Sequence, residues 1–590
     1  MRMKTWLGLL LGLAVLAAPA EARRQPAPVR VNIIAFNDFH GALEPPQMAM
    51  TAPAPGGATV RVPVGGAAYL ASAVRRLRAA NPNNVVVTAG DLIGASALVS
   101  AEFLDEPTIL AMNLIGLDYS AVGNHEFDRG RQELLRMQNG GCARFTNRQP
   151  CRLDRFPGAR FQILAANVRT ETGQTLFPGT ALRSFGTGRR RVRVGFIGLT
   201  LRDTGTLVIP TGITGLRFED EADTINAAAR QLRAQGADAV VVLIHQGLDT
   251  RVGYNDHSCG GVTGDLLPVL ARLDRSVDVV VSGHTHHSYI CDYSRIDATR
   301  PFLVTSAEKT GAILTNISLS IDPVRHRVTA KSADNVLVQG EAYADRRGEV
   351  PLTNLYPVFP RDPAVAALVA RYAAVASPII ARPIGRLAGS ALKRTNDAGE
   401  SVAGDLIADA FLAATSSPDT GHAVLAFTNQ TSVRTDIIPA ADGTVTFGQL
   451  FAMQPYGNNL VVVSMTGRQI RAALEQQFAS GPNTVDHPIM LVPSRGFTYG
   501  FDLRQPEGQR IIDMQLNGAA ISDDASYRVA INSFLASGGD SFTVFRQGTN
   551  PTGGIQDVDA LEAYIAAMGP TPPPLPPADR IRRISPRPRG

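Results

Sequence analysis

The chain has 590 residues, of which 44% are hydrophobic and 18% are charged, a balance typical of a globular protein with sizeable cores. Its formal net charge is only +5, from 57 Lys and Arg against 52 Asp and Glu. This small, dispersed charge argues against binding to a nucleic-acid polymer. The length predicts two or more domains.

The first residues follow the pattern of a secretory leader. Arg2 and Lys4 precede an apolar run at residues 6–16, and Ala20-Glu21-Ala22 is a small-x-small cleavage site. We therefore predict a signal peptide at residues 1–22 and a periplasmic or secreted protein. The run is shorter than the ~20 residues that span a bilayer, and no later stretch is predicted to span one, so we expect no stable membrane anchor.

Buried-strand patterns alternate with helical patterns between residues 28 and 345, which predicts an α/β domain. The strand patterns cover residues 31–36, 85–89, 192–199, 239–244, 277–282 and 302–306, and the helical patterns cover residues 67–80 and 224–235.

A linker is predicted at residues 346–385, because Asp362-Pro363 opens a helix that runs to about residue 376. A second α/β domain is predicted at residues 386–568. Its helices are expected at 401–415 and 467–477 and its strands at 423–427, 460–465 and 527–531. The Pro- and Arg-rich residues 569–590 predict a disordered tail.

Four cysteines suit an oxidising compartment. Three pairings can be drawn among them, and the most economical joins Cys142 with Cys151 and Cys259 with Cys291. The second of these bridges would hold the loops on either side of residues 283–287.

Short polar clusters follow several of the apolar runs, so they fall where α/β sheets place their ligand sites. The side chains that could bind a metal are Asp38, His40, Asp91, Asn124, His245, His284 and His286. Two Asp, one Asn and four His supply enough oxygen and nitrogen for two divalent ions, which these ligand types allow to be Mn, Zn, Fe or Co. The pattern predicts a two-metal hydrolase with Asp91 as the bridging carboxylate.

These clusters, which also include His125 and Asp128, resemble in order and context the signature of the calcineurin-like metallophosphoesterases. Their residue patterns are similar to those of the exported 5′-nucleotidase and UDP-sugar hydrolase family, and the resemblance covers nearly all of the chain after the leader except the predicted tail. One such cluster alone would be a weak signal, whereas five in order are specific. The resemblance implies a four-layer αββα metallophosphoesterase sandwich, a linker helix and an α/β nucleotidase C-terminal domain.

The resemblance also implies a role for each site residue. It places Asp38, His40, Asp91 and His286 on one metal, and Asp91, Asn124, His245 and His284 on the other. Metal-bound hydroxide would attack the phosphate ester in line. His125 would approach the phosphoryl or leaving-group oxygen, and Asp128, three residues further on, would orient it through a hydrogen bond.

Residues 454–458 and 532–540 resemble the two base-binding segments of that family. In these segments Tyr456 and Phe534 would sandwich the base, Asp540 would contact the ribose, and Asn458 would lie beside the substrate. Arg434 is a candidate for binding phosphate or carboxylate. The chain departs from the family at residues 429–434, where relatives carry an Asn-x-Gly-Gly-x-Arg loop and this chain has no glycine. The side chains there are expected to narrow the pocket.

The first hypothesis for function is a 5′-nucleotidase that releases phosphate from nucleoside monophosphates, with cleavage of UDP-sugars as an added activity. An alternative is a 2′,3′-cyclic nucleotide 2′-phosphodiesterase with 3′-nucleotidase activity, which the altered loop could favour. A hypothesis of another class is a non-catalytic binding protein that retains the scaffold. The complete set of ligands argues against this third hypothesis.

Overall fold

The computed structural model describes residues 26–584 except residues 147, 209, 346 and 482. The predicted signal peptide at residues 1–22 lies outside the described residues.

The N-terminal domain is built from strands that alternate with helices. In chain order its strands are β1 (Val29–Phe36), β2 (Met48–Pro53), β3 (Thr59–Val64), β4 (Asn84–Thr88), β5 (Tyr119–Ala121), β6 (Gln162–Leu164), β7 (Val168–Arg169), β8 (Thr180–Phe185), β9 (Val192–Thr200), β10 (Arg217–Phe218), β11 (Ala239–His245), β12 (Val279–Ser282), β13 (Ser288–Asp292), β14 (Leu303–Ala307), β15 (Ile313–Asp322), β16 (Arg327–Leu337), β17 (Tyr343–Asp345) and β18 (Gly348–Val350). Its helices are α1 (Ala67–Ala80), α2 (Leu98–Ala101), α3 (Glu106–Ile115), α4 (Gly130–Asn139), α5 (Thr204–Leu207), α6 (Glu221–Ala234) and α7 (Leu266–Leu270).

Two six-stranded sheets form the centre of this domain within the described part of the chain. Their strand orders are β16-β15-β1-β4-β5-β6 and β13-β14-β12-β11-β9-β8. Strand β1 shows why the sheets stack: Ile33 and Ala35 face the second sheet, whereas Ile34 and Phe36 face the helices on the other side. Both faces of the strand are therefore buried, which explains its continuous apolar sequence.

Helices cover the outer face of each sheet. Helices α1 and α3 pack with the first sheet, and helices α6 and α7 pack with the second. The predicted four-layer αββα sandwich is confirmed.

The linker and the C-terminal domain follow. In chain order their elements are α8 (Pro363–Ile380), β19 (Pro383–Arg386), α9 (Val402–Thr415), β20 (Leu425–Asn429), β21 (Thr444–Thr446), α10 (Phe447–Met453), β22 (Asn459–Thr466), α11 (Gly467–Glu475), β23 (Leu491–Pro493), β24 (Phe497–Phe501), β25 (Ile511–Leu516), β26 (Ala519–Ala520), β27 (Ser526–Asn532), α12 (Ser533–Ala536), β28 (Thr549–Gln556), α13 (Asp557–Ala567) and β29 (Ile581–Arg583). As far as the structure describes them, the strands form a five-stranded sheet of order β23-β20-β27-β22-β28, a four-stranded sheet of order β26-β25-β24-β29 and a separate pair of β19 with β21.

Helix α8 begins where the sequence predicts, because the Asp362 carboxylate accepts hydrogen bonds from the backbone N–H groups of Ala364 and Val365, each at 3.0 Å. It runs four residues beyond the expected end. By length and composition it is apolar enough to span a membrane, so the prediction that no stretch after the leader meets this criterion is wrong. Its Val369 and Tyr372 side chains are nevertheless buried in the core of the N-terminal domain.

Both disulfides of the economical pairing are present. Cys142 is bonded to Cys151, and Cys259 is bonded to Cys291 at the end of β13.

The predicted disorder of residues 569–590 is wrong for the part that the structure describes, up to residue 584. Strand β29 pairs in parallel with β24. Just before it, the buried Arg580 guanidinium donates two hydrogen bonds to the Asp409 carboxylate, both at 2.8 Å. The Glu400 carboxylate accepts from the backbone N–H groups of Arg580 and Ile581 at 3.0 Å. These partners lie about 170 to 180 residues away in the chain, so local composition could not reveal them.

Burial raises the pKa of the nearby Asp405 to about 9, so this carboxyl is neutral at neutral pH and Arg580 mainly balances the charge of Asp409. Replacing Arg580 with Met would leave the Asp409 carboxylate buried without its partner. We expect the free energy of unfolding of the C-terminal domain to fall by about 3–5 kcal/mol. Urea denaturation followed by hydrogen exchange of the α9 amides measures this loss.

Arg582 provides the matched control, because its ion pair with Asp513 is exposed. Arg582→Met is expected to change the same free energy by less than about 1 kcal/mol. Equal losses in the two variants would show that the buried pair has no special importance.

Candidate metal centre

The loops after five parallel strands carry the predicted ligands to one edge of the sandwich. Asp38, Asp91 and Asn124 follow β1, β4 and β5 of the first sheet, whereas His245 ends β11 and His284 follows β12 of the second. Because these strands are parallel within their sheets, their carboxyl ends lie side by side.

The structure brings the ligand atoms of five of these residues into two overlapping groups. Asp38, His40 and His286 form one group, and Asp38, Asp91 and His245 form the other, with ligand atoms within 4.8 Å of one another in each. The Nε2 atoms of His40 and His286 lie 3.1 Å apart. The Nε2 atom of His245 lies 3.0 Å from Oδ2 of Asp91.

The remaining two predicted ligands border the same groups. Asn124 is buried, and its side-chain oxygen has no hydrogen-bond partner among the described residues. The ring of His284 meets the ring of His245 edge to face, with centroids 5.2 Å apart. The backbone N–H of His284 also donates to the Asp38 carboxylate at 3.0 Å.

Backbone carbonyls fix the orientation of two imidazoles. Nδ1 of His40 donates to the carbonyl of Gly94 at 2.9 Å, and Nδ1 of His245 donates to the carbonyl of Ala89 at 2.8 Å. These bonds leave each Nε2 facing the carboxylates. This is the arrangement by which outer hydrogen bonds orient histidine ligands for a metal.

Burial and neighbouring charges set the protonation of the cluster. Burial lowers the pKa of His40 to about 4 and that of His284 to about 3, so both rings are neutral and keep a lone pair at neutral pH. Burial also lowers the pKa of His245, but the Asp91 carboxylate outweighs it and raises the value to about 9. Burial raises the pKa of Asp38, but the neighbouring imidazoles outweigh it and lower the value to about 2.

Several residues of these loops have strained backbone conformations. Five of the seven predicted ligands have φ in the left-handed region, at values between 48° and 74°: Asp38, His40, Asp91, His284 and His286. Each such residue costs on the order of 1–3 kcal/mol and persists only where the surrounding structure imposes it. The loops are therefore built to point these side chains inward at the expense of local stability.

Glu126 is a residue of the site that the sequence reasoning missed. Its buried carboxylate accepts hydrogen bonds from the backbone N–H groups of Asp91 at 2.9 Å, Leu92 at 2.8 Å and Gly123. It thereby ties the loop after β4 to the loop after β5. The only signal for it in the sequence was its place next to His125.

His125 points into the same site. Its Nδ1 lies 2.9 Å from Oδ2 of Asp128, as the spacing predicts, and its backbone N–H donates to Asp91 at 3.1 Å. Its ring lies edge to face with that of His40, with centroids 5.3 Å apart. Burial lowers the pKa of His125, but the charges of Asp128 and Asp91 outweigh it and raise the value to about 10.

In the C-terminal domain, Arg434, Tyr456 and Asp540 meet at the altered loop of residues 429–434. The guanidinium of Arg434 lies 5.9 Å from the centre of the Tyr456 ring, and the Tyr456 hydroxyl donates to the Thr431 carbonyl at 3.5 Å. The Asp540 carboxylate accepts from Asn429 at 2.7 Å and from the Thr431 hydroxyl. The altered loop is therefore in direct contact with both Tyr456 and Asp540.

The other two predicted substrate residues, Phe534 and Asn458, lie in different surroundings. The Phe534 ring is 42% exposed and lies against the backbone of Gly539. The amide of Asn458 donates to the Asp557 carboxylate at 3.3 Å, which directs this side chain toward the start of α13.

The segment that carries Tyr456 borders the candidate metal centre. Gly457 has a φ of +60°, and an added Cβ there would lie 2.8 Å from Cα of Ala95. Ala95 follows Gly94, whose carbonyl binds His40. The two domains therefore touch beside the cluster of ligands.

The donor set fits divalent cations. Carboxylate oxygen, amide oxygen and the neutral imidazoles of His40 and His284 suit ions such as Mn, Zn, Fe or Co. The buried oxygen of Asn124, which lacks a partner, is the kind of atom that a cation would satisfy.

Comparisons with known proteins agree with this geometry. Residues 31–288 match the model of the calcineurin-like phosphoesterases, and residues 383–547 match that of the 5′-nucleotidase C-terminal domain. The chain is 29% identical to Endonuclease YhcR of Bacillus subtilis over 92% of its length, but it spans only 40% of that relative. It is 25% identical to a probable 5′-nucleotidase of Treponema pallidum, covering 91% of this chain and 92% of that protein.

A solved structure gives the same result. The 5′-nucleotidase precursor from Thermus thermophilus is 25% identical and superposes with a TM-score of 0.54, covering 94% of this chain and 99% of that one.

The substitution Gly123→Ala tests whether the Asp91 carboxylate is a metal ligand. A Cβ at this position would lie 2.0 Å from Oδ1 of Asp91, so Gly123→Ala must displace that carboxylate. We expect the affinity for Mn²⁺ to fall by about 10-fold or more, because shifted ligands lose coordination geometry. Calorimetric titration of metal-stripped protein measures the affinity.

Gly253→Ala is the control, since nothing lies within 4 Å of the added atom. It is expected to bind Mn²⁺ like the unaltered protein. Unchanged affinity in Gly123→Ala would contradict the assignment of Asp91 as a ligand.

Proposed function

The chain belongs to the calcineurin-like phosphoesterases that carry a 5′-nucleotidase C-terminal domain, a family of metal-dependent phosphoester hydrolases, and from this membership we propose that it is a 5′-nucleotidase. It releases phosphate from nucleoside 5′-monophosphates, and the same site cleaves UDP-sugars. The observation that carries the proposal is the convergence of the predicted ligands and His125 beside a second domain that presents Tyr456 and Phe534.

In this proposal the centre would bind two divalent cations. Asp38, His40, Asp91 and His286 would hold one, and Asp91, Asn124, His245 and His284 would hold the other. The groups of ligand atoms support this division by placing His40 with His286 and Asp91 with His245, and the unpartnered oxygen of Asn124 supplies a further donor. The carboxylate that both groups share is that of Asp38, so the bridging role of Asp91 rests on the family resemblance. The chemistry that two such cations supply is neutralisation of the phosphoryl oxygens and activation of water for in-line attack.

The His125–Asp128 pair acts on the reacting oxygens. The Asp128 carboxylate accepts a hydrogen bond from Nδ1 of His125 and stabilises the imidazolium form. The other nitrogen, Nε2, can then donate to charge that develops on the phosphoryl or leaving-group oxygen. Asp128 itself touches no substrate, so it is a positioning residue.

The C-terminal domain recognises the nucleoside. Tyr456 and Phe534 stack on the base, which contributes roughly 1–3 kcal/mol per contact and accepts any base. Asp540 faces the ribose, and Asn458 and Arg434 complete the substrate site. The exposure of Phe534 supports this role, because a large ring left open to solvent is available for stacking.

A second candidate is favoured by one specific contact. Asp540 already accepts hydrogen bonds from Asn429 and Thr431, side chains of the altered loop. Ribose hydroxyls would have to compete with these donors. A 2′,3′-cyclic nucleotide, whose hydroxyls are esterified, would lose less by this competition, so 2′,3′-cyclic nucleotide 2′-phosphodiesterase and 3′-nucleotidase activity is the alternative.

Export is part of the proposal. The leader-like residues 1–22 and the two disulfides support a periplasmic or secreted location, since disulfides persist in oxidising compartments.

Metal removal and substrate choice test the function directly. The purified protein is treated with chelator, reloaded with Mn²⁺ and given 5′-, 3′- and 2′,3′-cyclic nucleotides and UDP-glucose. We expect the protein to release phosphate from 5′-monophosphates, and we expect chelator to abolish this release. Asp91→Asn is expected to remove turnover, and His125→Ala to lower kcat by about 100-fold or more, because acid–base groups contribute at least that much.

His257→Ala is the matched control, because this exposed histidine lies outside the cluster, 3.8 Å from Asp334. It should leave turnover unchanged. Release that survives chelation would contradict the metal-dependent mechanism. Absence of release from every nucleotide would favour a non-catalytic binding protein.

Base stacking is tested by Phe534→Ala. We expect KM for adenosine monophosphate to rise by about 10-fold, in line with the loss of one stacking contact. Ribose 5-phosphate lacks a base, so its kcat/KM should stay unchanged. The control is Phe145→Ala, which removes an aromatic ring that is 46% exposed in the other domain. An equal rise in KM for both variants would contradict a specific role for Phe534.

A further inference from the structure

The carboxylate of Asp128 is held from both domains. Its Oδ2 faces Nδ1 of His125 at 2.9 Å within the N-terminal domain. Its Oδ1 accepts a hydrogen bond from Nδ2 of Asn459 at 2.7 Å, and its Oδ2 also accepts from Nε2 of Gln556 at 3.3 Å. Two of its three donors therefore come from the C-terminal domain.

The sheet of the C-terminal domain places these two amides side by side. Asn459 is the first residue of β22 and Gln556 is the last residue of β28, and the two are register partners in the antiparallel pair. Both strands contact helix α5 of the N-terminal domain, where the Leu207 carbonyl also accepts from Asn459 at 3.3 Å. The position of the pair is thus fixed by backbone hydrogen bonds.

The orientation of the Asn459 amide follows from the charge of its neighbour. Asn459 is fully buried, and its Oδ1 has no hydrogen-bond partner among the described residues. If the amide were turned over, that oxygen would face the Asp128 carboxylate, and two acceptors would repel each other. The nitrogen must therefore face Asp128.

Stability alone does not account for an asparagine here. A buried carbonyl oxygen without a partner costs on the order of 1–3 kcal/mol, and an apolar side chain of similar size would avoid that cost. The gain that offsets it is the hydrogen bond to Asp128. That carboxylate is in turn the group that orients His125.

We propose that Asn459, assisted by Gln556, is a positioning residue that fixes Asp128, and through it His125, when the two domains are docked. The domain that binds the nucleoside thereby sets the orientation of the imidazole that acts on the phosphoester. The inference rests on the proposed function, because it assumes that His125 takes part in turnover.

Asn459→Leu removes both hydrogen bonds of the amide and keeps the same branched skeleton of four side-chain heavy atoms. We expect kcat for the nucleotide substrate to fall by about 10-fold while KM changes by less than about 2-fold, as is typical when an outer partner of a site residue is lost. In an Asp128→Asn background the same substitution should have no further effect on kcat. This non-additivity identifies action through Asp128, which general loosening of the interface would not produce.

Asp559→Asn is the matched control. It breaks another contact between the domains, the ion pair of Asp559 with Arg148 at 3.3 Å, but it does not touch Asp128. We expect an unchanged kcat. The proposal would be overturned if Asn459→Leu lowered kcat equally in the unaltered protein and in the Asp128→Asn background. It would also be overturned if Asp559→Asn lowered kcat as much as Asn459→Leu does.

Hydrogen exchange provides a readout that does not depend on turnover. In Asn459→Leu, the amides of residues 123–130 should exchange faster, while those of β22 keep their protection. Gln556→Leu, which removes the longer hydrogen bond, should show a smaller change of the same kind and remains informative if Asn459→Leu does not fold. If the unaltered protein hydrolyses no nucleotide, the proposed function fails, yet exchange still decides this inference. Unchanged exchange at residues 123–130 in both variants overturns it.

Discussion

The burial of two carboxylates, those of Asp38 and Asp91, is the constraint on which the rest of the site depends. Removing an ionised carboxylate from water costs several kcal/mol unless nearby charges or donors compensate it. Here the compensation comes from imidazoles and from backbone N–H groups, including those of His125 and His284. The left-handed backbone of the ligand loops is the means by which these donors are brought around the carboxylates.

The same need for compensation links the two domains. Asp128 is a third buried carboxylate, and part of its hydrogen-bonding capacity is filled by Asn459 from the other domain. The His125 imidazole, to which the proposed function gives a role in turnover, is thus supported through Asp128 by a contact between the two domains. Because Gly457 touches Ala95 nearby, the proposed base-binding segment and the candidate metal centre share this interface. Under the proposed function, recognition of the nucleoside and cleavage of its phosphate are therefore structurally coupled.

The C-terminal domain contains a separate cluster of buried acidic residues. Its members are Glu400, Asp405 and Asp409, which pack against the segment that contains Arg580. The Arg580 guanidinium donates to Asp409, and the backbone N–H groups of Arg580 and Ile581 donate to Glu400. This cluster explains why the last described residues are ordered. A Pro-rich segment has no regular hydrogen bonds of its own, so its order depends on the partners at its far end.

The sequence by itself determined the features that depend on neighbours along the chain. Hydrophobic periodicity placed helix α1 and six of the twelve strands described in the two central sheets, the Asp362-Pro363 pair marked the start of α8, and the spacing of His125 and Asp128 predicted their contact. Only the tertiary structure decided three other features. The segment from residue 569 to residue 584 is ordered, Glu126 joins the loops after β4 and β5, and Asn459 contacts Asp128. Each of these depends on charges buried against partners from other strands, or from far along the chain, and such compensation leaves no periodic pattern in the sequence.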